Sequence, residues 1–131
     1  MFLDASALTA MLADEEDART LLTRMQAHAD RRTSPLAVWE ASIAVARILA
    51  LDPEDAMAAV EEFLSLTGVT VDPVPPEAHR LAIRAWARYG KGRHPAALNF
   101  GDCFAYACAR ATGQPLLYKG DDFPQTDIAP A

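Results

Sequence analysis

The chain has 131 residues, 51% of them hydrophobic and 23% charged, with a formal net charge of -6. That balance belongs to a globular chain rather than a disordered one, no apolar run is long enough to cross a bilayer, and the length suits a single domain over residues 1–131. The acidic mean argues against nucleic acid as a partner, but its distribution argues for one: residues 78–101 hold five bases and no acid, leaving -11 on the rest.

"MFLD" opens the chain as a short apolar run that predicts a buried strand. The N-terminus lacks the basic flank and long apolar segment of a signal peptide, so a cytoplasmic location is expected. Helices follow from Ala5 to about Ala13 and from Glu15 to about Ala29. "RRTSP" predicts a short strand before Ser34, an N-cap, and Pro35, which suits the first helical position; that helix runs to about Ala50. Asp52 and Pro53 repeat the start signal, Glu54 and Asp55 favour a helix N-terminus, and Gly68 ends the helix. "VTVD" reads as a strand, "PPEAHRLAIRAWARYG" as a helix ending at Gly90, and "NFGDCFAYACARATG" as another, capped by Asn99 and stopped by Gly113. "PLLY" is a final strand and "TDIAP" an edge one. Strands interleaved with helices predict an α/β sandwich around a mostly parallel sheet. Cys103 and Cys108, five apart in one helix and so about 140° around its axis, cannot bridge each other and read as small core residues.

Asp102 is the puzzle of the chain, an ionised group inside the apolar run "FGDCFAYACA". Burying it unpaired costs several kcal/mol, roughly, so it needs a partner. Its place in the first turn of a helix favours the charged form through the helix dipole. Glu40 repeats the puzzle as the only charge between Ser34 and Ala46. Asp4 follows the strand "MFL", and Asp121 and Asp122 follow "PLLY" after a Lys-Gly step. In an open α/β sheet these strand ends share the crevice where ligands bind, if the two strands are parallel neighbours. Each acid also has an ordinary explanation: Asp4 as a cap, Asp102 as a first-turn acid, Asp121 and Asp122 as a turn, Glu40 as a residue reaching the surface. Jointly they favour a divalent cation, without which like charges would force protonation. Oxygen ligands select magnesium or manganese, and the scattered His28, His79 and His94 form no zinc pattern. His28 and His79 read as surface residues, and His94 as a substrate contact. Arg80, Arg84 and Arg88 share a helix face, and Lys91 and Arg93 occupy a Gly-flanked loop leading to Asp102.

"MFLDASAL", the lone Glu of "VWEASI", "NFGDCFAYACARATG" and "PLLYKGDDF" together resemble the PIN-domain ribonucleases, specifically the VapC toxins of bacterial toxin-antitoxin pairs. The resemblance covers nearly the whole chain, and the run from "RYGKGRHP" to "FPQTDI" is similar to one VapC subgroup. It implies a PIN-like three-layer α/β/α sandwich and a magnesium- or manganese-dependent endoribonuclease that hydrolyses RNA phosphodiesters. The family's Asp, Glu, Asp pattern falls on Asp4, Glu40 and Asp102, with Ser6 at a position usually held by a small hydroxyl residue. The fourth acid is Asp122 if the tail is read as "GxDF", and Asp121 if the acid follows the glycine directly. Asp4 and Asp102 would hold the metal. Glu40 would complete the coordination or serve as general base, and the fourth acid would shape a second metal position. Lys91, Arg93 and the arginine strip would contact the RNA backbone, while Asn99 would cap its helix or orient Asp102.

The same resemblance implies two protein partners, a second copy of the chain and a cognate VapB-type antitoxin. An apolar groove lined by Leu12, Leu21, Leu22 and Met25 would seat the antitoxin, the alternative being that these four residues are core. Three rival readings remain. An aspartyl-phosphate hydrolase would need a D-x-D pair, and the second position here is Ser6. A DNA nuclease would use the same acids and metals, and a non-catalytic interaction module would bind metal without turnover.

Overall fold

In the computed structural model, which describes residues 1–131, four short strands alternate with six helices. In chain order these are β1 (Phe2–Leu3), α1 (Ala5–Leu12), α2 (Ala18–Gln26), β2 (Arg32–Thr33), α3 (Pro35–Leu49), α4 (Pro53–Thr67), β3 (Thr70–Val71), α5 (Ala78–Tyr89), α6 (Phe100–Thr112) and β4 (Leu116–Leu117). The sheet order is β3-β2-β1-β4 and every pairing is parallel. β1 and β4 come from opposite ends of the chain, yet Phe2 lies opposite Leu116 and Leu3 opposite Leu117. The two strands expected to carry acids at their ends are therefore neighbours.

Side chains alternate across a strand, so these two pairs of residues divide between the faces of the sheet. Phe2 and Leu116 pack with α5 and α6, while Leu3 and Leu117 pack with α1, α2, α3 and α4. The result is the expected α/β/α sandwich. Its helix starts follow from local chemistry: Ser34 Oγ accepts the Ala37 N–H at 3.2 Å with Pro35 opening α3, and Asp52 accepts the Glu54 N–H at 2.9 Å. Gly68 and Gly113, both at φ 65°, end α4 and α6 in the left-handed region. Cys103 and Cys108 are free and buried.

Three boundaries differ from expectation. α2 begins at Ala18 rather than Glu15, because Asp14 turns the chain at φ 52° and the Glu15 N–H donates back to the Ala10 carbonyl at 3.0 Å. α5 begins at Ala78, after the two prolines rather than through them. "TDIAP" forms a single bridge between Pro130 and Leu116 instead of a strand, since proline has no N–H with which to continue a ladder.

Candidate functional site

Parallel strands bring their C-terminal ends to one edge of the sheet, and a cleft of about 310 Å³ lies there. Five acids line it: Asp4 from the β1–α1 junction, Glu40 from α3, Asp102 from the first turn of α6, Asp122 from the loop after β4, and Glu15 from the turn between α1 and α2. Asp121 does not line it; its backbone carbonyl accepts the Gln125 side-chain amide at 2.9 Å. The geometry thus separates the two acids that spacing alone could not.

Each acid is held by its own local chemistry. Asp4 caps α1 and is only 4% exposed. Its Oδ2 accepts the Ser6 N–H at 3.0 Å and the Ser6 hydroxyl at 2.5 Å, and Ser6 Oγ accepts the Lys119 N–H at 3.0 Å. The chain leaving β4 is thereby tied through Ser6 to the acid leaving β1. Asn99 and Asp102 cap α6 reciprocally: the Asn99 N–H donates to Asp102 Oδ2 at 2.8 Å, and the Asp102 N–H donates to Asn99 Oδ1 at 2.9 Å. Asn99 therefore caps its helix and orients Asp102 at once.

The electrostatics are those of crowded, partly desolvated acids. Burial raises the Asp4 carboxyl above the usual carboxylate range, against the hydrogen bonds from Ser6. Burial likewise raises Glu40, with repulsion from Asp4 and Asp102 adding to it. Asp102 is pushed up to about 6, first by burial and further by Asp4 and Asp122, while the bond from Asn99 opposes. The helix-start position was expected to favour its charged form, but desolvation and like charge outweigh that effect. One cation, Lys119, lines the cleft, and its ammonium is engaged by Glu15 and by Asp17, the latter at 3.4 Å.

No three of these acids converge tightly enough to hold an ion between them as they stand. Their chemistry nevertheless fits a hard divalent cation that keeps part of its water shell. The donors are all oxygens, and the hydrogen bonds that Ser6 gives Asp4 and Asn99 gives Asp102 fall on Oδ2 of each.

Other expected residues lie elsewhere. Ser6 and Asn99 line the cleft, but Lys91 and Arg93 do not. Arg93 stacks over Trp86, its guanidinium 4.2 Å from the ring centroid, and Arg88 pairs with Asp127 at 3.2 Å. His94 lies outside the cleft lining; its Nδ1 accepts the Ala96 N–H at 3.1 Å and its ring meets Tyr89 edge-on. Leu21 and Met25 are buried in the core and Leu12 and Leu22 pack against it, which favours the core alternative for these residues. An apolar groove of about 600 Å³ lies between α3 and α4, lined by Val38, Ile43, Met57 and Val71 with Glu54 and Glu61, and bordered by Trp39. Sequence reasoning missed Thr9, Glu15 and Lys119 as cleft residues. Lys119 had a visible signal, a lone cation between a strand and two acids; Glu15 became visible only once its helix was seen to start later.

The family model for the PIN domain matches residues 1–129. Among curated proteins, the chain is 40% identical over 129 residues to VapC ribonuclease Mb0640 of Mycobacterium bovis, covering 98% of this chain and 96% of that one. It is 41% identical over 129 residues to a ribonuclease VapC of Mycolicibacterium smegmatis, covering 98% of each. VapC ribonuclease R02377 of Rhizobium meliloti is 38% identical over 140 residues, with 97% and 98% covered. Among solved structures, Mycobacterium tuberculosis VapC20, described as a Sarcin-Ricin loop cleaving toxin, superposes with a TM-score of 0.75 at 18% identity over 99% of this chain and 97% of that one. That last likeness concerns the fold.

Proposed function

This chain belongs to the PIN-domain family, among its VapC ribonucleases, and we propose that its acid cleft cuts RNA by metal-assisted hydrolysis as the toxin of a VapBC pair. The observation that carries the reading is the meeting of Asp4, Glu40, Asp102 and Asp122 from four elements in one cleft whose single cation is engaged by other acids. Crowded carboxylates with raised proton affinity are what a divalent ion would relieve.

Asp4 and Asp102 would hold magnesium or manganese, their hydrogen bonds from Ser6 and Asn99 falling on Oδ2 in each case. When bound, such an ion supplies an activated water and charge for the phosphorane-like transition state. Glu40 would complete the coordination or accept a proton from the attacking water, its carboxyl being raised above the ordinary carboxylate range by burial and by Asp4 and Asp102. Ser6 holds Asp4 in place, and Asp122 completes the acid ring on the side of the β4 loop. Asp122 rather than Asp121 is the fourth acid of this reading. Lys91 and Arg93, exposed on the loop before α6, would contact the RNA backbone outside the cleft.

The antitoxin is a VapB-type protein, and the α3–α4 groove is its seat in this proposal. Met57 and Val71 are each 44% exposed there, and Glu54 and Glu61 favour a segment with basic residues beside its apolar face. The resemblance to VapC toxins also supports a homodimer.

The test is a cleavage assay on structured RNA and matched DNA with antitoxin-free protein, in magnesium or manganese and in chelator, beside Asp102→Asn. RNA cutting that needs the metal and is lost in the variant is the expected result. Equal activity of variant and wild type would sink the site, and preferential cutting of DNA would replace the substrate.

A further inference from the structure

The wall of the acid cleft continues into a smaller depression of about 260 Å³, lined by Leu36, Trp39, Glu40, Asn99, Phe100 and Gly101. Glu40 and Asn99 belong to both. Each is the chain neighbour of an aromatic residue that stands largely in water, Trp39 being 67% exposed and Phe100 68%. Phe100 is set by contacts of the same helix start that sets Asp102, while Trp39 follows from its place beside Glu40 on α3. Glu40 lies against Gly101, Asn99 and Asp102 cap each other, and Phe100 packs on Phe104 with ring centroids 4.9 Å apart. Rings placed this way lose little freedom when a ligand covers them. The depression also offers a directional donor: Asn99 Oδ1 is occupied by the Asp102 N–H, which leaves the Asn99 amide NH2 free.

We infer that this depression is a nucleobase subsite, in which an unpaired base beside the phosphate held in the acid cleft stacks on Trp39 and Phe100 and accepts a hydrogen bond from Asn99. The inference rests on the ribonuclease reading above. A base presents a flat π-face and a polar edge together, which matches two exposed rings and one free amide. It must be unpaired, because duplex stacking hides its faces. Charge points the same way. Phe100 also lines a groove with Trp86, and the guanidinium of Arg93 stacks on that indole at 4.2 Å, which ties one cation to the aromatic surface bordering the depression.

The chain has two tryptophans, so Trp86→Phe leaves Trp39 as the only indole. In that background, with Asp102→Asn added to prevent cutting and magnesium present, a short single-stranded RNA should quench Trp39 fluorescence saturably. The same oligomer carrying abasic sites, or annealed to its complement, should quench far less. In cleavage assays Phe100→Ala should raise KM roughly 5- to 100-fold, the range of one base–aromatic stack, while kcat moves less; Phe100→Tyr should restore KM. Trp39 fluorescence unaffected by RNA, together with an unchanged KM in Phe100→Ala, would overturn the subsite. So would sedimentation showing that Phe100→Ala dissociates a dimer while RNA affinity stays the same, which would make the surface one of self-association. The binding arm needs no turnover. Failure of the wild type to cut any RNA therefore counts against the ribonuclease reading, and absence of quenching counts against the subsite.

Discussion

Gly101 lies so close to Glu40 that a side chain at 101 would meet the Glu40 carboxylate, with its Cδ at 3.0 Å and Oε1 at 3.1 Å from the new Cβ and Oε2 closer still. The glycine is required by that approach and not by its backbone angle, for it sits inside α6 with an ordinary helical conformation. Gly101→Ala should therefore displace a flexible carboxylate at little cost to the fold, and alanine favours the helix by about 0.5–1 kcal/mol. The expected outcome is an unchanged or higher melting temperature with RNA cleavage reduced roughly 10- to 100-fold, the usual range for disturbing the support of a metal site. Melting curves beside kcat/KM check it. Full activity in the variant would mean that Glu40 is not fixed by this contact.

Asp102 should make the metal-free protein less stable as pH rises. Its carboxyl is held at about 6, above the ordinary 3.8, so the native state keeps a proton that the unfolded chain has already lost. The destabilisation begins above pH ~4 and is complete above pH ~6. Asp102→Asn keeps an acceptor for the Asn99 N–H and removes the charge. In chelator at pH 7.5 it should be more stable than wild type by on the order of 1–3 kcal/mol, with the difference vanishing near pH 4. Denaturant titrations at the two pH values decide this, and a variant less stable at pH 7.5 would contradict it.

Much of this arrangement was legible in the chain. Ser34–Pro35, Asp52–Pro53, Gly68 and Gly113 announce their helix ends because capping is chemistry local to a few residues. Glu40 and Asp102 are legible as lone charges in apolar runs, and Asp4 as an acid at the end of an apolar strand. What stayed hidden depended on distant contacts. Asp121 and Asp122 occupy equivalent places in a turn until the loop after β4 is folded against Ser6. The basic loop looked like part of the cleft because it precedes Asp102, yet Arg93 turns away onto Trp86. Leu21 and Met25 have the spacing of a groove and the burial of a core, and periodicity alone does not separate the two.

A divalent ion should reverse the effect of pH on stability. Magnesium or manganese binds the charged carboxylates, so protons compete with it as pH falls through about 6, where Asp102 titrates in the ion-free protein. Calorimetric titration should show affinity falling between pH 7.5 and 5. At saturation, about 100 times Kd, the ion adds about 2.7 kcal/mol of stability. Affinity that is flat across this range would exclude Asp102 from the ligands.

Lys119 deserves a charge test of its own. Its ammonium pairs with Glu15 and Asp17 while its N–H supports Ser6, so one residue joins the α1–α2 turn to the acid cleft. Lys119→Met keeps the backbone bond and removes the only cation of the cleft lining. Because the side chains are partly exposed, melting should change little. RNA affinity should fall, and the slope of log affinity against log salt should decrease by roughly 0.7–0.9, one phosphate contact. A variant with unaltered affinity and slope would confine Lys119 to its pairing with the two acids.

Asp127 works in the opposite sense to the cleft acids. It accepts from Tyr106 Oη at 2.7 Å, from Arg110 at 2.9 Å and from Arg88 at 3.2 Å, which pins the C-terminal segment to α5 and α6. The Tyr106 bond, followed by the nearby Arg110 and Arg88 charges, holds its carboxyl below the usual range despite some desolvation. A lowered acid stabilises the fold above the unfolded value of 3.8 and loses that contribution as pH falls through its native value, so Asp127 opposes acid unfolding only weakly below pH ~4. Asp127→Asn should speed hydrogen exchange at Ala131, whose N–H donates to the Leu116 carbonyl at 2.9 Å, because the segment that carries it loses its anchor. The variant's stability deficit should be present at pH 7 and shrink toward pH 3, the reverse of the trend at Asp102. Exchange rates equal to wild type at neutral pH would show that the buried Ile128 and the Pro130 bridge hold the segment without the ion pairs.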